Sequence, residues 1–568
     1  MKRDLKRLAN DIYDMLVIGG GITGACVAWD ATLRGLRVAL VEKGDFGGAT
    51  SANSLKTAHG GLRYLQDGNL RLIRMMIRER KALLQIAPHL VHPLPVLMPT
   101  YRNKLSRSKL LLGSAVKVND LVSFDRNWNM DPDRALPPGR VISAAECLNM
   151  APGLEAANLS GGVIWYDAQI YNTERLVLAF LISASRAGAQ VANYVAATEF
   201  SREGRRVVGV KARDELTSVP LKIRARVVVN SAGPWVDEVL SGLNGQAPPR
   251  MFRPSTAMNL VTRQILSEFA IGFDSYYTET LADGSTERRS RVLFVAPWRH
   301  YSLVGTIHAP CDGGLNENWV TEACINSFLA EVNCACGWAG LRREDVYLVH
   351  RGFLPAAAAS DGNARVKLLR EGQLYDHEIE DGVEGLITVV GVKYTAARSI
   401  AEKAVNLVFR KLRRRSPLCQ THHRRLHGGQ VQRFADFVAR ETITARESLA
   451  PESVRPVLYN HGSEYHQLLR FVEEDPGWGR PVSSDSHTIR AEIVHAVRSE
   501  MARKLSDVVL RRTELGSAGP PGENAMVECA QIMAAEFGWD KKSISREIDA
   551  VWAYYATMGA AHRVTFRI

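Results

Sequence analysis

The alternation of apolar and polar residues divides the chain into blocks of different period. A short apolar run, Met15-Leu16-Val17-Ile18, passes straight into Gly19-Gly20-Gly21-Ile22-Thr23-Gly24 and returns through Leu36-Arg37-Val38-Ala39-Leu40-Val41-Glu42. That order predicts a buried strand, a tight turn, a helix and a second strand. Leu70, Ile73, Met76, Ile77, Leu83, Leu84 and Ala87 then recur at helical spacing until Pro88, which predicts one core-facing helix. Its Arg71, Arg74, Arg78 and Arg80 read as the wet face of that helix, not as a nucleic-acid site, and no nucleic-acid partner is expected.

A helical pattern over 172–187 leads to strands at Val195, 207–210 and 227–229, and further strands are expected at 258–261, 291–295 and 301–306. Leu386-Ile387-Thr388-Val389-Val390 is again a strand before a glycine turn, followed by a helix carrying Ile400, Ala404, Val405 and Val408. Near the end Ile489, Ile493, Val497, Met501, Leu505 and Val508 predict one helix closing near Gly516. The fold class that follows is α/β: a Rossmann-like dinucleotide domain, discontinuous in sequence, with an inserted β-sheet substrate domain and an all-α C-terminal domain. Its expected boundaries are 1–12 for a basic N-terminal segment, 13–410 for the dinucleotide domain with insertions at about 93–165 and 250–350, 411–429 for a basic linker, and 430–568 for the helical domain.

Composition changes this picture at a few points. At 568 residues the chain exceeds one core, and at roughly 150 residues per domain it holds two to four units. It has no uninterrupted apolar run of spanning length and no signal-peptide core, which places the protein in the cytoplasm or on the inner face of a membrane. Two features carry the membrane expectation. Leu5, Leu8 and Ile12 stand beside Lys2, Arg3, Lys6 and Arg7, as in a short interfacial helix. Seven basic residues with no acid lie between 410 and 425, reading either as a contact for anionic lipid or as a solvated linker. The eight cysteines are scattered without zinc spacing, so no metal site is expected.

The first glycine cluster carries the strongest chemistry. Gly19 ends the strand in a tight turn, Gly21 lets backbone approach a pyrophosphate, and Gly24 lets the helix lie against the strand, so that Ile18, Gly19, Gly20, Gly21, Ile22, Thr23 and Gly24 line a phosphate cradle at a helix N-terminus. Glu42 closes the second strand where a carboxylate accepts from ribose hydroxyls, with Lys43, Thr50 and Ser51 following it into the same cofactor loop. The strand end Ser231-Ala232-Gly233 offers small residues on which a flat adenine or ribose can lie. Gly391, Val392, Lys393 and Thr395 place a helix N-terminus where it stabilises negative charge on a reduced ring, which favours FAD over NAD. His59, Arg63 and Tyr64 follow the cofactor loop. Arg351 and Arg370, separated by a loop, form a candidate anion clamp, with Lys393 able to reach the same anion.

Taken together, IGGGITGA, ATSANSLKTAHGGLRYLQ, SAGPWVD, FVAPW with VGT, HRGFLP, GVKYTAAR and LRRTELG resemble the FAD-dependent, aerobic-type glycerol-3-phosphate dehydrogenases of the D-amino-acid-oxidase-like flavoproteins, over nearly the whole chain. The resemblance implies hydride transfer from C2 of sn-glycerol 3-phosphate to FAD, giving dihydroxyacetone phosphate, with electrons passed to a membrane quinone. By position Arg63, Tyr64, Arg351, Arg370 and Lys393 match substrate-pocket residues, and His59 matches the histidine before the paired glycines, as a base or as a support for the FAD loop. Three positions depart from the family pattern: Met258 stands for a histidine over the active site, His308 for an aspartate after the GT pair, and Gly391-Val392 for a paired glycine. Oxidation of another small phosphorylated alcohol, or of an amine or amino acid, with oxygen as a possible acceptor, is the alternative on the same fold.

Overall fold

The computed structural model describes residues 1–241, 252–280, 285–311, 314–315, 319–357 and 367–560. The outermost residues of two expected units, 250–251 and 561–568, lie outside these.

Strand Ile12–Ile18 pairs in parallel with Val38–Val41 on one side and Pro220–Asn230 on the other, and the latter pairs in parallel with Leu386–Val390. Parallel pairing brings the carboxyl ends of these four strands to one edge of the sheet. Gly19, Glu42, Ser231 and Gly391, each the first residue after its strand, therefore meet there although they are far apart in sequence. Gln190–Ala192 extends this sheet on one side, Gln373–Asp376 on the other. Helix Ile22–Leu33 is apolar nearly all round, with Ala25, Val27, Ala28 and Ala31 fully buried, because it is packed between helices Thr173–Arg186 and Ala397–Lys411.

A second, nine-stranded sheet runs from Val346–Ala356 through Arg253–Arg263, Tyr301–Pro310, Thr286–Trp298 and Ala270–Thr280 to Val91–Tyr101, Leu159–Ile170 and Thr57–Ala58. Helix Glu322–Ala335 closes one face through Ile325, Phe328 and Val332, while Val116 of helix Lys109–Val122 packs with Leu94, Val96 and Trp165 on the other. The last strand of the series is the link between sheets: Ala58 pairs with Ala168, which delivers His59 and Gly60 to the strand carrying Asp167. Helices from Phe434–Ala445 to Lys541–Thr557 make up the C-terminal part, and Trp298, Leu303 and Leu348 of the second sheet share a core with Ile493, Val508 and Met526.

Three expectations change. The N-terminal helix Leu5–Asn10 does not lie free: Leu8 is 1% exposed in a core with Leu16 and Ile223, and Arg3 pairs with Asp214. Leu8 is thus spent on the fold and Leu5 is half-buried, while Ile12, the first residue of the first strand, stays exposed. Arg80 is not on a wet face but 2% exposed, donating to Asp167 at 2.7 Å. The helix expected to run to Gly516 stops at Ser499; Met501 takes a left-handed φ of 59°, and a π-helical turn follows at Val508–Arg512. Four residues of the basic run are also engaged: Lys411 with Asp376 and Glu378, Arg414 with Asp14, Arg424 with the Gln420 side chain, and Arg425 with the carbonyls of Gly429 and Val431.

Candidate active site

The cofactor cradle is built from close backbone approaches. A Cβ on Gly19 would stand 2.5 Å from the Ser231 carbonyl oxygen, and one on Gly24 would stand 2.0 Å from that of Gly19. Only glycine fits either place, and the result is the helix N-terminus of Ile22–Leu33 aimed over the sheet edge. Ser51 Oγ accepts from the Ile22 N–H at 3.0 Å, and a Cβ on Gly391 would meet Thr23 Oγ1 at 2.4 Å. The first glycine cluster, the cofactor loop and the Gly391 turn thus converge on one helix end. Lys43 Nζ lies 4.5 Å from the Trp235 ring, spanning from the loop to the Ser231-Ala232-Gly233 strand end. Glu42 sits where a ribose acceptor should, but its carboxylate is turned onto the N–H groups of Gly20 (2.7 Å) and Gly44 (2.9 Å), bracing the turn. Burial raises its pKa, with those two hydrogen bonds acting against it. Thr50 Oγ1 is bracketed by the N–H and carbonyl of Phe353 at 3.3 and 3.4 Å, so the strand bearing Arg351 is set directly against the cofactor loop. Cradle, helix end and flanking loop suit a dinucleotide reaching across both sheets, as FAD does.

On the substrate side, the Tyr64 ring is the centre of a cationic cluster: Lys393 Nζ lies 4.8 Å and the Arg63 guanidinium 5.2 Å from its centroid. Lys393 donates to the Arg370 carbonyl, which ties the two cations together, while the Arg370 side chain pairs with Asp67 at 3.1 Å. Burial, then Arg63, pull the Lys393 pKa down to about 8. His59 stands 6.3 Å from Tyr64, ring to ring, and its pKa falls to about 4, by burial first, with Asp167 opposing and Arg63 and Lys393 reinforcing. Its imidazole is therefore neutral at neutral pH. Arg351 lies opposite Met258 in the ladder of the second sheet, its pKa lowered by burial against the influence of Tyr554. Met258 itself is 1% exposed in the core with Ile325 and Phe328, so it fills the sheet's helix-covered interior and does not replace a polar pocket contact. On the other face of the same strand, Asn259 accepts from Thr306 at 2.6 Å. His308 keeps an accessible side chain at the rim of the sheet, and partial desolvation there, then Arg291 and Arg63, lower its pKa.

Several residues that hold this site drew no attention in the sequence. Asp167 accepts from the Gly60 N–H (2.6 Å), Arg80 and the Trp165 ring, fixing the turn after His59. The first turn of helix Thr173–Arg186 is wholly buried. There Glu174 holds Lys56 at 2.9 Å, the Thr173 carbonyl accepts from Tyr394, and Arg175 donates to both oxygens of Glu500 at 2.7 Å. That same guanidinium reaches His461 Nδ1 at 3.2 Å, so a cation already occupies the buried His461, His495 and Glu500 group. Only Arg80 had a visible signal: 73, 77, 80 and 84 lie on the apolar stripe of their helix.

Comparison with known proteins agrees with this layout. Residues 14–345 match the model of FAD dependent oxidoreductases, and residues 419–544 match that of the C-terminal domain of alpha-glycerophosphate oxidase. The fold and its cradle define an FAD-dependent oxidoreductase. The glycerol-3-phosphate dehydrogenase of Synechocystis sp. is 31% identical over 560 residues, covering 97% of this chain and 98% of that one. Glycerol-3-phosphate dehydrogenase 2 of Mycobacterium tuberculosis is 30% identical, covering 96% and 88%. The chain belongs to the FAD-dependent glycerol-3-phosphate dehydrogenase family. The structure of the Bacillus halodurans glycerol-3-phosphate dehydrogenase complexed with FAD shares the fold, with a TM-score of 0.74 at 24% identity over 99% of this chain and 98% of that one.

Proposed function

We propose that the protein oxidises sn-glycerol 3-phosphate to dihydroxyacetone phosphate and passes the electrons to a quinone at a membrane surface. The observation that carries this reading is the convergence of Lys393, Arg63 and Arg370 around Tyr64, beside the neutral His59. A phosphate dianion calls for several cations, and charge-assisted hydrogen bonds to it are about twice as strong as neutral ones. Arg370 is assigned to the phosphate and Lys393 to substrate and cofactor together; Arg351, expected beside them, lies across the ladder from Met258 on the helix-covered face of the second sheet. FAD, when bound, supplies the acceptor for the C2 hydride. His59 offers an unprotonated ring nitrogen to the hydroxyl proton.

The Lys393 assignment has a pH signature. Its ammonium loses charge as pH rises through about 8, so attraction for an anionic substrate is lost on the alkaline side. We expect kcat/KM for glycerol 3-phosphate to fall above that pH. In Lys393→Met it should be lower by about 100-fold, within the range for truncating one partner of a buried charge pair, and the alkaline limb should vanish. A limb unchanged in the variant would remove Lys393 from the substrate site.

Support for a membrane surface comes from helix Lys109–Val122 and its flanks. Leu105, Leu110, Leu121, Phe124 and Trp128 are 86, 83, 75, 62 and 62% exposed, beside Lys104, Lys109 and Lys117. Exposed apolar side chains fringed by lysine suit an anionic bilayer. Among the described residues no helix is long and apolar enough to cross one. The protein is expected to sediment with vesicles containing anionic lipid even at high salt. Leu121→Asp with Phe124→Ser should stay in the supernatant while still reducing a soluble acceptor; a variant that pellets like the parent would place the contact elsewhere.

A further inference from the structure

The cofactor loop from Lys43 to Asn53 has turns but no regular element, and it carries Gly44, Gly47 and Gly48. Ordering such a segment costs conformational entropy at every residue, so something must hold it. Its backbone makes turn bonds from Gly48 to Asp45, Ala52 to Ala49 and Asn53 to Thr50, and two bonds outward: the Gly47 N–H donates to the Gly20 carbonyl and the Gly44 carbonyl accepts from the Tyr194 N–H. The stronger hold is at Asp45, whose carboxylate is 1% exposed and takes four donors on two oxygens. Arg512 binds it bidentately at 2.6 and 2.7 Å, Arg511 at 2.6 Å and Asn193 at 2.9 Å. A regular helix splays neighbouring side chains by about 100°. The π-helical turn Val508–Arg512, closed by the Thr513 N–H on the Val508 carbonyl, nonetheless brings both guanidinium groups to one carboxylate. Arg511 also binds Asp507 at 2.8 Å, Asp507 accepts from Tyr194, and Arg512 Nε donates to the Glu500 carbonyl at 3.2 Å. These residues lie in the LRRTELG segment of the helical C-terminal part, to which no catalytic group has been assigned.

We propose that Arg511 and Arg512 are positioning residues for FAD: acting through Asp45, they hold the cofactor loop in its binding conformation, so that docking of the helical domain and retention of FAD are coupled. A buried ion cluster is a weak stabiliser, because desolvation offsets most of its attraction. Its product here is a fixed conformation for Glu42, Thr50 and Ser51. If docking and FAD both require that conformation, each favours the other by the same factor. The inference rests on FAD as the cofactor and is independent of which substrate is oxidised.

The test uses full-length holoenzyme with Arg512→Met, Asp45→Asn and the double substitution. Two quantities are read: the rate of FAD release on dilution, from the gain in flavin fluorescence, and the urea midpoint of unfolding. Arg512→Met should release FAD about 10-fold faster, within the usual span of coupling between two sites, and unfold at lower urea. The double variant leaves no lone buried charge, so its midpoint should recover while its release rate stays about 10-fold raised. Release within twofold of the parent, or release that recovers together with the midpoint, would make the cluster merely structural and overturn the proposal. Should Arg512→Met fail to fold, the double variant alone decides.

Discussion

Replacing Gly24 by valine is expected to give a protein that purifies without flavin. The first added carbon would stand 2.0 Å from the Gly19 carbonyl oxygen and 2.8 Å from Ser231 Oγ, and the nearer of these is backbone at the end of a central strand. Neither partner can yield, since Gly19 is itself pinned against Ser231, whose N–H donates to the Ile18 carbonyl at 2.9 Å. Helix Ile22–Leu33 must move outward instead, carrying its N-terminal N–H groups away from the pyrophosphate and opening the core it shares with two neighbours. Overpacking of this kind costs roughly 1–3 kcal/mol of stability. The loss in cofactor affinity should be larger, because both the close approach and the helix-end field depend on that position. The ratio of flavin to protein absorbance after gel filtration measures it. Gly337→Ala, where an added Cβ meets nothing within 4 Å, should keep a full complement of FAD. A Gly24→Val protein that is as yellow as the parent would contradict the cradle.

Glu174→Leu is expected to lower stability by about 3–5 kcal/mol, the usual result of breaking a buried ion pair from one side. Lys56 has no exposed surface, and its ammonium donates to both Glu174 oxygens, to Thr173 Oγ1 and to the Ala52 carbonyl. Burial pulls its pKa down and Glu174 pushes it back up. Without the carboxylate the charge is stranded. The effect should also reach the active site, since Lys56 anchors the stretch that leads through Thr57–Ala58 to His59. Adding Lys56→Met should restore most of the urea stability, as no lone charge then remains. A single variant within about 1 kcal/mol of the parent would show that the ammonium is not held as described.

What could be seen in the sequence, and what could not, divides along chemical lines. The glycine turns, the strands that precede them and the Gly391 turn were visible because each is a local rule: backbone that must bend sharply or be approached closely demands glycine where it occurs. Their meeting at one sheet edge then follows from parallel pairing. The supporting ionic groups obey no local rule. Arg512 and Asp45 are 467 residues apart, Arg175 and Glu500 325, and Lys56 and Glu174 118, so nothing in either neighbourhood marks them as partners. Arg80 shows the reverse error: its charge suggested a wet face, although its place on the apolar stripe predicted burial with a counter-ion, which is Asp167. Met258 was misjudged for a related reason. Strand alternation alone leaves open which face of a two-sided sheet is core, and that was settled by the helix carrying Ile325 and Phe328.

The proposed role of the Lys393, Arg63, Arg370 and Tyr64 cluster is to bind a phosphorylated alcohol, and one measurement meets that claim directly. Purified holoprotein is mixed with sn-glycerol 3-phosphate in the absence of oxygen, and the visible absorbance of the flavin is followed. The account predicts that the band bleaches on mixing and that dihydroxyacetone phosphate appears in equal amount. A flavin that stays oxidised with glycerol 3-phosphate yet is bleached by an amine or amino acid would contradict it.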